Sequence, residues 1–155
     1  MWIRSRKKGS GGFELVPKVP VMTSNTTPSG VASASSSHSG QPPYKAFNGV
    51  SNDPWADGGT GDCWLQYQFE KYTKIDTVKY DFYTVPDRVT SFSVYGDGAL
   101  LTTVNGPFTT GEHEFQIPSD KQDYYAVYKF AFTATNKVHV DKIQMYAKES
   151  TSGES

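Results

Sequence analysis

Cysteine is nearly missing from this 155-residue chain. Cys63 stands alone, so no internal disulfide can form. Long apolar runs are missing as well. None approaches the ~20 residues that a membrane-spanning helix requires. A strong excess of positive charge is also lacking. Lysine and arginine number 15 against 16 acidic side chains, for a net charge of −1. Four of the 15 (Arg4, Arg6, Lys7 and Lys8) sit in the first eight residues, so 11 remain against 16 acids, a charge of −5 for the rest. Phosphate backbones are bound by clustered positive charge, so nucleic acid is not an expected partner. The basic start is followed by Gly9 to Gly12 and not by an apolar stretch, so no secretory signal is read there.

Catalytic groups are sparse. The three histidines, His38, His113 and His139, have no metal-ligand spacing. His113 lies between Glu112 and Glu114, as in a solvated charge cluster. Cys63 opens a strand with no histidine near it in sequence, which suits a buried, inert thiol. Gly58-Gly59-Thr60-Gly61 lacks the lysine of a phosphate-binding loop. Asp53, Asp57 and Asp62 crowd one loop, where carboxylates usually shape turns. No enzyme is expected.

What the chain does hold is β-pattern. Trp64, Gln66 and Gln68 alternate with Leu65, Tyr67 and Phe69. Period-two alternation marks a strand with two different faces. Trp64 is assigned to the core. Further strands are read over 74–83, 90–95, 100–104, 113–117, 124–133 and 138–146. Asp97-Gly98 supplies a hairpin turn, and a single helical turn is expected at 44–47. About eight short strands with turn chemistry between them indicate a sandwich or barrel. Residues 1–20 read as a separate basic, glycine-rich arm, 21–148 as the domain, and 149–155 as a polar tail.

An ordered set of motifs carries a family resemblance over roughly 21–147. Small residues at 33–39 precede Tyr44 and Ala46-Phe47-Asn48-Gly49. Trp55 follows, then Trp64-Leu65-Gln66-Tyr67-Gln68-Phe69, the turn Gly96-Asp97-Gly98, Tyr124-Tyr125 and the segment 140–146. This order resembles the discoidin, or coagulation-factor C-type, galactose-binding-like domains, and is similar to family 32 carbohydrate-binding modules and to such domains in phage virion proteins. The resemblance implies an eight-stranded jelly-roll β-sandwich with an extended N-terminal arm, and a ligand site in loops at one end. It also implies a non-catalytic module for a bacterial cell-surface glycan. With no signal peptide read, the expected setting is extracellular, on a phage tail or capsid, with multivalent display aiding host attachment. A structural decoration or adaptor protein that binds no sugar is the alternative.

Many relatives hold a structural calcium with the aspartate of Ala-Phe-Asp-Gly and a glutamate in the last strand. Here those positions carry Asn48 and Lys142, so calcium is disfavoured and no cofactor is expected. Lys142 is expected to replace the ion by donating to carbonyls around Asn48 and Asp53. Sugars are read by aromatic faces and planar polar groups, which must sit in loops. His38 and Tyr44 in the first loop, Trp55 in the second, Tyr83 and Arg88 in the third, and Asn136 and His139, flanking Lys137, in the fourth are the candidate glycan contacts. Each has a plainer reading: Trp55 as a plug under its glycine-rich loop, Tyr44 as packing, Arg88 as a surface pair with Asp87 or Asp57. Arg4, Arg6, Lys7, Lys8, Phe13 and Leu15 are the candidate anchors to a partner protein.

Overall fold

The computed structural model describes residues 12–150. It is an all-β, antiparallel sandwich, and three short 3-10 turns at Pro43–Phe47, Pro86–Arg88 and Ser119–Lys121 are its helical elements among the described residues. The strands are β1 (Phe13–Pro17), β2 (Val31–Ala34), β3 (Trp55–Ala56), β4 (Cys63–Lys74), β5 (Thr77–Asp81), β6 (Val89–Gly96), β7 (Ala99–Asn105), β8 (His113–Gln116), β9 (Tyr124–Ala134), β10 (His139–Val140) and β11 (Lys142–Ser150). One sheet runs β2-β4-β9-β6-β7, the other β1-β11-β5-β8, and β10 pairs with β3.

Alternation builds the core from both sheets. Leu65, Tyr67 and Phe69 of β4, Phe92 and Val94 of β6, and Tyr128, Phe130 and Phe132 of β9 are buried. Val78 and Tyr80 of β5 and Ile143 and Met145 of β11 face them from the other sheet. Rings interlock across the layers: Tyr80 against Phe92 at 5.2 Å, Phe82 against Phe132 at 5.8 Å, and Phe92 against Phe115 at 5.7 Å between centroids. Edge-on aromatic pairs of this kind add about 0.5–1.5 kcal/mol each beyond the area they bury. The expected Asp97-Gly98 turn links β6 and β7, with both residues at positive φ. Asp97 Oδ1 also accepts the N–H groups of Ala126 and Val127, tying the hairpin to β9.

Three sequence readings are corrected. The sandwich begins at Phe13, ahead of the boundary placed at residue 20: β1 pairs with β11 from Phe13 opposite Ser150 to Pro17 opposite Tyr146. Lys18 and Glu149 form an ion pair at this edge, and β11 absorbs the first two residues of the expected tail. The segment 138–146 is broken at Asp141, whose N–H donates to Asp81 O (2.8 Å) as the chain passes from β10 to β11. Trp64 is not core. It shares the outer face of β4 with Gln66 and Gln68, and Lys129 Nζ lies 4.9 Å from its ring centre.

Candidate functional site

One end of the sandwich gathers the start of β4, the end of β5, the start of β6, the end of β9 and the β3/β10 pair. The register shows this: Cys63 lies opposite Phe132, Val89 opposite Ala134, and Ala56 opposite His139. The four candidate loops, near residues 35–41, 57–62, 82–88 and 135–138, all emerge here.

Trp55 organises the first two loops from below. It is 0% exposed, and its indole N–H donates to Ser36 O (3.2 Å) and Ser37 Oγ (3.1 Å). It therefore cannot stack on a sugar, and its place among the glycan contacts is withdrawn. The plug reading holds. Just beyond those serines, His38 is exposed, and its backbone N–H donates to Ala56 O (2.8 Å). Ser36 Oγ bonds the buried Asp57 and accepts from Gly58 N (3.0 Å). Asp57 in turn donates its N–H to Val138 O (2.9 Å). The His38 loop is thus anchored, through β3, to the strand that carries His139.

Tyr83 and His139 stack, with centroids 6.1 Å apart and planes 7° from parallel. Tyr83 reaches this position with a φ of 61°. Asp81 Oδ1 holds the turn by accepting its N–H (3.0 Å). Non-glycine residues rarely adopt this conformation, and strain of that sort clusters at functional loops. His139 Nδ1 is buried with no hydrogen-bond partner among the described residues. Burial first, then the charges of Arg88, Lys137 and His38, push the His139 pKa below its usual 6.5. Four of the seven candidate contacts, His38, Tyr83, Arg88 and His139, are therefore brought together.

Arg88 donates to Lys137 O (3.1 Å). The Lys137 ammonium donates to Asp57 O (2.7 Å) and Gly59 O (3.4 Å). Both cations are seated by carbonyls. The ion pairs among the described residues are Lys18–Glu149 and Lys45–Asp53, so the suggested pairing of Arg88 with Asp87 or Asp57 is absent there. Asn136 is exposed at the rim, with its side-chain oxygen accepting from Lys137 N (2.8 Å). Tyr44 stands apart. It is half-buried against the core on its 3-10 turn, and its N–H donates to Asn25 Oδ1 (3.1 Å). Sequence reasoning missed the Ser36–Asp57 pair and the bracing role of Lys137. Neither residue type announces itself, because a serine and an aspartate 21 residues apart carry no spacing signal.

The calcium position differs from expectation. The Lys142 side chain makes no hydrogen bond among the described residues, while its backbone pairs with Asp81 in the sheet. Lys45 takes the part instead, with its ammonium 2.7 Å from Asp53 Oδ1. Asp141, 4% exposed, accepts the Asp53 N–H (3.2 Å), and Asn48 Oδ1 accepts from Val50 N (2.9 Å). Calcium takes six to eight oxygens with carboxylate charge among them. A donor set that already holds an ammonium and spends its amide oxygen on a turn does not suit that ion. Among the candidate anchors, Phe13 is 69% exposed on β1 and Leu15 is half-buried. Arg4, Arg6, Lys7 and Lys8 lie outside the described residues.

The family profile of the F5/8 type C domain matches residues 31–149. The chain belongs to the F5/8 type C (discoidin) family. No curated protein sequence matches it significantly. Solved structures share the fold. The family 32 carbohydrate-binding module of C. perfringens NanJ, solved with galactose, superposes with a TM-score of 0.67 at 15% identity, covering 76% of this chain and 93% of that one. A chitosan-binding module from a Paenibacillus chitosanase/glucanase gives 0.65 at 16%, covering 76% and 95%. A fucolectin from striped bass (Morone saxatilis) serum gives 0.65 at 12%, covering 81% of this chain and 49% of the fucolectin chain. The β1 strand lies ahead of the matched range.

Proposed function

We propose that this F5/8 type C domain is a non-catalytic glycan-binding module and that the loop rim around the Tyr83–His139 stack is its sugar site. The observation that carries the reading is the convergence of His38, Tyr83, Arg88 and His139 on one end of a filled sandwich. An aromatic face, two imidazoles and a guanidinium supply what a sugar ring needs: a surface for its C–H groups and planar donors for its hydroxyls. The neighbours solved with galactose, or named for chitosan and fucose binding, support this choice of ligand class.

The non-catalytic part rests on the inert state of the reactive groups. Cys63 is buried, and burial, reinforced by Asp57 and Asp62, pushes its thiol up to about 12. His113 spends Nε2 on Thr109, and Asp53, Asp57 and Asp62 each hold loop structure.

The finer reading is host attachment. A shallow loop site holds a sugar weakly, and display in many copies on a phage tail or capsid raises the effective concentration. Partner proteins would then meet the N-terminal side, where β1 presents Phe13 at a sheet edge. The test uses the full chain on a glycan array and on bacterial cells. His38→Ala and His139→Ala are expected to lower binding by about tenfold or more each while leaving Tm within a few degrees. An array blank at every concentration, with virion assembly lost when β1 is deleted, would favour the structural adaptor instead.

A further inference from the structure

We infer that the sugar bound at this rim is acidic: a residue carrying a carboxylate, as in a uronic or nonulosonic acid. The inference rests on the glycan-binding reading above and narrows it. Its basis is a pair of rim cations, Arg88 and Lys137, that no carboxylate pairs with directly among the described residues. Carbonyl groups fix where both cations sit without neutralising either. Arg88 uses one N–H on Lys137 O, and its other N–H groups have no acceptor among the described residues. A guanidinium held in this way presents a planar fork, the arrangement that receives a carboxylate through two parallel hydrogen bonds.

The neighbouring acids pair with neither cation. Asp57 bonds Ser36, Asp81 takes the Tyr83 N–H and Asp62 takes the Ala134 N–H. Asp87 is exposed and forms no ion pair with Arg88. The imidazole at the centre registers the balance. The side chains that shift His139 through charge are Arg88, Lys137 and His38, and no carboxylate is among them. A neutral sugar would leave these cations uncompensated once water is displaced. An anionic one would complete them, with charge-assisted hydrogen bonds stronger than those of a hydroxyl.

The experiment compares three probes of equal length by calorimetry with the full chain at low ionic strength: an oligogalacturonate, its methyl ester and a galactose oligomer. Sialyllactose against lactose forms a second arm that separates nonulosonic from uronic acids. The oligogalacturonate or the sialyllactose is expected to bind about ten- to a hundredfold more tightly than its neutral counterpart. That ratio should shrink toward one as added salt screens the charges. Arg88→Gln and Lys137→Met, checked for retained Tm, should lose more affinity for the acidic probe than for the neutral one. Equal affinity for acidic and neutral probes, or a preference that salt does not touch, overturns the inference and leaves the sugar site standing. Binding to a neutral glycan on an array and to none of the acidic probes overturns the inference alone, whereas binding neither to the probes nor to any glycan on the array overturns both. The wild-type ratio decides the question even where the variants fold poorly.

Discussion

The Tyr83 ring lies parallel to the His139 imidazole, 7° between planes, and burial first, then Arg88, Lys137 and His38 beside it, push the pKa of that imidazole down. The folded pKa is lowered, so the folded protein gives up the His139 proton more readily than the unfolded chain. Between the depressed folded value and about 6.5, the unfolded state binds more protons, and stability rises with pH. Stability is therefore lost as pH falls below about 6.5. Proton NMR of the imidazole should titrate below the ordinary histidine value. Tyr83→Ala should move that titration upward by opening the ring to water. His139→Gln should flatten the fall of Tm on the acid side of 6.5. An unshifted imidazole titration in the wild type would refute the arrangement.

Trp55 and His38 are coupled through two serines. Trp55→Ala removes a fully buried ring and is expected to cost about 3–5 kcal/mol, which unfolds much of the population on heating. Trp55→Phe keeps most of the packing but leaves Ser36 O and Ser37 Oγ without the indole donor. Ser36 and Ser37 are exposed, so water replaces part of the lost bond, and the cost is about 0.5–1.5 kcal/mol, part of it felt as a looser His38 loop. Glycan affinity should therefore fall several-fold in Trp55→Phe at a temperature where the fold is intact by circular dichroism. Unchanged affinity would mean that the plug does not position the rim.

Period-two alternation made β4, β6 and β9 readable, because each has one buried face and one wet one. The same rule already placed Trp64 beside Gln66 and Gln68 on the outer face. Assigning it to the core let hydrophobicity override register, and Lys129 covering the ring is how the sheet tolerates it. Trp55 ran the other way: a tryptophan in a polar, glycine-rich loop was fully buried, because the β3/β10 pair closes over it. β1 was unreadable for a different reason. Its five residues follow glycines and end in a proline, and its partner β11 lies at the far end of the chain. At the rim, the loops were legible as polar punctuation between strands. Which side chains meet was not, since His38, Tyr83 and His139 become neighbours only through β3, β5 and β10.

Lys45 and Asp141 share Asp53, one through its carboxylate and the other through its backbone N–H. Asp141→Ala should cost about 1 kcal/mol by leaving that part-buried N–H without its acceptor. An ammonium already occupies the carboxylate, so we propose that added calcium leaves Tm unchanged in the wild type. Lys45→Met should lower Tm and make the protein more responsive to calcium, because Asp53 then lacks its cation. A large, saturable rise in wild-type Tm with calcium would overturn this account of the turn.

β1 adds a strand to a sheet that the matched F5/8 type C range already contains, and β11 is the strand it covers. A chain beginning at residue 21 deletes that pairing, exposes one side of β11 and breaks the Lys18–Glu149 pair. The ion pair is partly solvated and counts for little. The ladder and the packing of Val19 against the core count for more, since an uncovered edge strand frays and invites pairing between copies. Truncation to residue 21 should therefore lower Tm by about 5 °C or more and promote self-association in size-exclusion runs. Truncation to Gly12 leaves β1 whole and should lower Tm by less than truncation to residue 21. Equal Tm for the two truncations would mean that β1 contributes no stability and that the domain starts at the family boundary.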